Sequence, residues 1–237
     1  MTDVSDFLER MDWWGFLGLL VSAAAALLCI TFHELSHGFV AFRLGDPTAK
    51  NAGRLTLNPI RHIDPLGLVM MLVAKVGWAK PVPVDMRWFK HPKRDMAVTA
   101  LAGPVSNFLL ALAALGLSSV IYHVSDLGNA ALVCLCFLSN VAVLSMGLGI
   151  FNLIPISPLD GSKVLFAFLP DRIYLAILRY EKYVMILVVI LTMAGVFQGP
   201  LSRMILWGLQ GLCDLVGYPI QAVFLTQDIS SLIRLLH

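Results

Sequence analysis

Unbroken apolar stretches recur along this chain, and several reach or approach the roughly 20 residues that a helix needs to cross a bilayer. No other feature restricts the fold as severely, because a segment placed in lipid must satisfy its backbone polar groups internally. Residues 14–44 read as one long helix, stopped by Gly45-Asp46-Pro47, with Trp13 and Trp14 suited to the membrane interface. Residues 97–122 and 130–153 read as a second and a third span, and 183–197 and 203–218 as two more. The third runs into Asn152-Leu153-Ile154-Pro155-Ile156-Ser157-Pro158, where two prolines interrupt helical hydrogen bonding, and a short helix over about 159–169 follows. The tail from 219 is mildly amphipathic and suits a surface position.

Composition agrees. Of the 237 residues, 58% are apolar and 14% charged, against about 45–50% and 25% in soluble domains. The mean hydropathy is +0.81. The expected fold class is therefore an all-α polytopic membrane protein, with the lipid bilayer as its first partner. A net charge of +2 without a dense basic run gives no support to nucleic-acid binding. Asp3, Asp6, Glu9 and Asp12 stand against a single Arg10 near the start, unlike the basic beginning of a secretory signal. Cys29, Cys134, Cys136 and Cys213 all lie in apolar stretches and read as small core or lipid-facing residues.

Residues 66–74 are apolar but too short to span, and Gly77-Trp78-Ala79-Lys80-Pro81-Val82-Pro83-Val84 is a poor helix. Ten of the seventeen Lys and Arg lie between Arg43 and Arg94. The positive-inside rule then puts 45–95, 170–182 and the C-terminus in the cytosol. A full crossing before residue 97 would divide that basic loop. The expectation is five full spans with a re-entrant or extended element between the first two, six spans being the alternative. One membrane-embedded domain covers 1–237, its core about 14–169 and additional C-terminal helices about 171–225.

Chemistry enters at His33-Glu34-Leu35-Ser36-His37. On a helix, residues four apart stack one turn above another, so two imidazoles can reach one metal ion while Glu34 beside them accepts a proton from water. A plain helix end whose polar residues face water is the bland reading. Against it, acidic groups within membrane helices are costly and usually functional. A hydrolytic zinc needs a third protein ligand and one open position. Asp160, in Pro158-Leu159-Asp160-Gly161, is the candidate, although the same residue could simply cap the next helix. Spacing alone leaves both readings open.

The H-E-x-x-H in the first helix and N-x-x-P-x-x-P-L-D-G from Asn152 to Gly161 resemble the site-2 protease family of intramembrane zinc metalloproteases. Gly103-Pro104-Val105-Ser106-Asn107 is similar to that family's G-P-x-x-N. Asn58 to Gly67 and Gly77 to Val84 resemble its short prokaryotic branch, which lacks PDZ and CBS domains. The likeness covers about residues 30–165 and implies an endopeptidase with one zinc ion held by His33, His37 and Asp160. It further implies Glu34 as general base and Asn152 as a catalytic polar partner near the metal or the oxyanion. A transmembrane protein or peptide would be the substrate, met in a prokaryotic plasma membrane in the course of regulated intramembrane proteolysis. A metal-binding membrane transporter is the competing reading, since interrupted helices often line transport sites. Asn107 is expected either to hydrogen-bond near the site or to mediate a helix contact. His62 could stabilise the transition state or support a ligand, but in a loop read as cytosolic and wet the favoured expectation is a solvated histidine.

Overall fold

The computed structural model describes residues 13–65, 67 and 79–227. Most of the expected re-entrant element, residues 66 and 68–78, lies outside the described residues, as do 1–12 and 228–237. Among the described residues eight α-helices follow one another: α1 Trp13–Arg43, α2 Thr48–Asn51, α3 Pro92–Val124, α4 Asn129–Asn152, α5 Asp160–Phe166, α6 Asp171–Met193, α7 Gln198–Val216 and α8 Ile220–Leu225. Short 3-10 turns cover Pro59–His62 and Met86–Trp88. Among the described residues there is no strand, only an isolated antiparallel bridge between Ile63 and Ala79.

Helices α1, α3 and α4 form the central bundle, with α5 packed on α3, and α7 on α4 and α3. Their shared core combines small residues (Ala25 and Cys29 on α1, Ala111 and Ala114 on α3, Ala142 on α4) with Leu115, Leu135, Val141, Met146 and Ile150. Lipid is as apolar as a leucine, so helices in a membrane associate through close packing, which small side chains permit. Other large apolar residues point outward, including Leu19, Leu109, Leu117 and Trp207. The four cysteines are free; Cys29, Cys136 and Cys213 are buried and Cys134 is exposed.

Two expectations meet the observed helices. Three helices (α1, α3 and α4) are long and apolar enough to cross a membrane, or four if the bent pair 179–193 and 198–216 is one broken span. The pair meets at 81°, so length and composition do not divide it into two independent crossings. The expected count of five to six is not reached among the described residues. The stretch over 170–182, placed in the cytosol by its charge, is largely helical, because α6 begins at Asp171, where the additional C-terminal helices were expected to start. Charge marked that stretch as polar; it carried no information on whether the backbone was helical.

Candidate metal centre

Two helices supply the chemistry and a third arranges it. His33 and His37 lie one turn apart on α1, their rings edge to face with centroids 4.6 Å apart. Beyond the α4 break, which contains a cis Ser157–Pro158 peptide, Asp160 opens the short helix α5. The N-cap position there is Leu159 and makes no side-chain cap bond. Asp160 does not cap its helix. Its Oδ2 lies 3.0 Å from His33 Nε2 and 3.1 Å from His37 Nε2, and its Oδ1 accepts from Lys163 Nζ at 3.2 Å.

The two imidazole nitrogens are themselves 3.1 Å apart, which completes a near-equilateral triangle of ligand-type atoms. All three residues are buried. Ligand atoms around a tetrahedral zinc, at bonds of about 2.0–2.1 Å, stand roughly 3.3–3.4 Å apart. The triangle is a few tenths of an ångström tighter and faces one common point.

The surrounding partners make this donor set fit a cation. His37 Nδ1 lies 2.8 Å from the carbonyl oxygen of Thr99, to which it donates, leaving Nε2 with a lone pair toward the triangle. Asn107 lies against His33 Nδ1 at 3.3 Å, and its Oδ1 is buried without a partner. Turning that amide lets Oδ1 accept from His33 Nδ1–H, freeing the second Nε2 lone pair; amide orientation is assigned from such partners. Two imidazole lone pairs and a carboxylate oxygen then converge with no proton among them. A divalent ion supplies the missing positive charge, and bonding of the outer ring nitrogens is the usual support of metal-ligating histidines.

Helix α3 provides both outer partners. Pro104 lies inside it and disturbs the ladder in the preceding turn, the turn that presents the Thr99 carbonyl. Gly103 lets α3 approach the two rings: a Cβ there would stand 2.6 Å from His33 Cε1 and closer still to His37 Nε2. Asn107, for which sequence left two readings, is fully buried and next to His33.

Glu34 lies beside the triangle in sequence, and its Oε2 accepts from the backbone N–H of Val82 at 2.9 Å. Asn152 is placed differently from the other site residues: its Nδ2 donates to the Leu148 carbonyl at 3.0 Å, on its own helix. His62 overturns an expectation. It is 1% exposed rather than solvated, with Nε2 2.9 Å from the Thr56 carbonyl oxygen. The loop folds back on α1 and encloses it, which its polar composition did not disclose. Arg54, Thr99 and Val82 were not singled out by sequence at all. The one available signal was the Pro81-Val82-Pro83 spacing, which leaves a single N–H in three residues.

The family model for peptidase family M50 matches residues 117–195, a stretch that includes Asp160. The chain is 38% identical over 183 residues to the "Putative zinc metalloprotease YwhC" of Bacillus subtilis, covering 76% of this chain and 81% of that protein. The chain belongs to peptidase family M50. Within that family it is also 28% identical over 210 residues to the "Putative zinc metalloprotease Rip2" of Mycolicibacterium smegmatis, covering 86% of this chain and 77% of the relative. The protein of that name from Mycobacterium tuberculosis H37Rv is 29% identical over 216 residues, covering 88% and 79%. No solved structure gives a significant match. The M50 peptidase thus combines an all-helical membrane scaffold with a buried His-His-Asp group fitted to one zinc ion.

Proposed function

We propose that this chain is a zinc-dependent endopeptidase that hydrolyses peptide bonds of transmembrane substrates within, or at the cytosolic edge of, a bacterial plasma membrane. The observation that carries this reading is the convergence of His33, His37 and Asp160, the last separated from His33 by 127 positions, with Glu34 adjoining. His33, His37 and Asp160 would hold the metal, and the catalytic core would be about 14–169. Zinc, when bound, polarises the scissile carbonyl and brings a water's acidity to near-neutral pH.

The chain's own residues do the rest. Asn107 and the Thr99 carbonyl fix the two rings, so that no ligand has to reorient during turnover. Glu34 takes the proton of the attacking water and returns it to the departing nitrogen. Asn152 would steady the developing oxyanion once its amide leaves the Leu148 carbonyl. A helical substrate hides its carbonyls in internal bonds and must unwind locally. An extended segment such as 79–84 can then receive it by strand addition.

Replacing Glu34 with Gln tests the reading. Cleavage of a single-span membrane substrate is expected to fall on the order of 10²–10⁴-fold, with bound zinc unchanged by metal analysis. Undiminished cleavage sinks the assignment of the base. Metal-dependent ion flux in proteoliposomes without any cleavage would favour the transporter instead.

A further inference from the structure

Residues 79–85 form a strap fastened to the chemistry of α1. The Lys80 N–H donates to the His62 carbonyl at 2.9 Å, next to the Ile63–Ala79 bridge. The Asp85 N–H donates to Asp46 Oδ2 at 2.7 Å. Between these anchors, the guanidinium of Arg54, itself 6% exposed, donates through Nη2 to the carbonyls of Lys80 and Pro81. Proline has no N–H, so the only donor in Pro81-Val82-Pro83 is that of Val82, and it is engaged by Glu34.

Strand addition requires backbone donors as well as acceptors. From Lys80 to Pro83 no N–H is left for an incoming chain: one serves His62, one serves Glu34, and two do not exist. A substrate can therefore take a hydrogen bond from this stretch of strap only by displacing the His62 carbonyl, which pins the strap beside the Ile63–Ala79 bridge, or the carboxylate that activates water.

We propose that the Val82 N–H is a shared donor, held by Glu34 in the resting enzyme and passed to a substrate backbone carbonyl on docking, so that docking itself releases the base. The inference rests on the peptidase reading and on strand addition at this segment. The proton stays on the Val82 nitrogen throughout. One N–H···O contact replaces another, and the exchange leaves neither the strap N–H nor the substrate carbonyl buried without a partner. Arg54 is a positioning residue, since it grips the two preceding carbonyls and keeps the strap in place while its one donor changes acceptor.

The test uses the full-length, zinc-loaded protein in detergent micelles with two probes. One is a peptide long enough to run beside residues 79–84; the other is a furylacryloyl dipeptide amide, too short to reach the strap. In Val82→Pro the donor is gone and Glu34 is permanently free. The kcat/KM for the long peptide is expected to fall on the order of tenfold, through KM, while dipeptide turnover rises by a similar factor. Val82→Ala, which keeps the N–H, is expected to restore the wild-type ratio of the two rates. Arg54→Ala loosens the strap and is expected to move both rates in the same directions by smaller factors; it decides the matter if Val82→Pro fails to retain zinc. A fall in both rates overturns the exchange and reduces Val82 to a support for Glu34. An unchanged long-peptide rate overturns strand addition at this segment, and absence of cleavage of either probe by the wild-type zinc enzyme overturns the peptidase reading itself.

Discussion

Gly103 stands in close contact with two of the metal ligands. A Cβ at this position would meet both imidazoles, including His33 Cε1 at 2.6 Å. Gly103→Ala is therefore expected to push the rings out of their triangle. Zinc affinity should fall about 10–100-fold, read by competition with a chelating dye, and cleavage should fall with it. Residues whose role is local were legible in the sequence: the four-residue spacing of His33 and His37 is a property of any helix, and Glu34 comes with it. His62, Arg54 and Thr99 were not. Their burial is set by which loop folds over which helix, and a polar loop has the same composition whether it lies open to water or encloses a histidine.

Among the elements, the break between α4 and α5 does the most to place a ligand. Gly161 packs against it so closely that a Cβ would lie 2.8 Å from the Ile154 carbonyl oxygen and nearer to that of Leu153. Backbone cannot swing aside as a flexible side chain can. Gly161→Ala is expected to cost about 1–3 kcal/mol, seen as a lower melting temperature in detergent, and to weaken zinc binding because Asp160 is the preceding residue. The prolines announced the break, and the three apolar runs announced α1, α3 and α4. The C-terminal half was harder to read. The span expected over 183–197 lies largely within a helix that begins at Asp171, because a helix tolerates charged residues where one side is wet and apolar patterning does not mark that end. The break after α6 does have a local mark, Gly195 with φ +74 just past the helix end, but its 81° angle is not legible from that residue.

For the molecule as a whole, the His-His-Asp group is a cross-link between distant parts of the chain. It joins α1 to α5, and through Thr99 and Asn107 it engages α3 as well. Binding that exists only in the folded state stabilises it by mass action, about 2.7 kcal/mol when free zinc is a hundredfold above its dissociation constant. A chelator is expected to lower the unfolding midpoint of the Glu34→Gln protein, and zinc to restore it. Using that variant keeps self-cleavage out of the measurement, and a midpoint indifferent to the metal would contradict the cross-link. The seam of small residues beneath the site, with Ala25, Ala111 and Ala142 wholly enclosed, bears on access. Helices that touch through alanine have no slack between them, and parting them would forfeit the contacts that hold the bundle together in lipid. The seam is thus a fixed wall. α6 has mostly exposed side chains over its described length and adds little to that wall. Of the long helices, α1 and α3, which carry the two histidines and their ring partners, are the ones this wall braces.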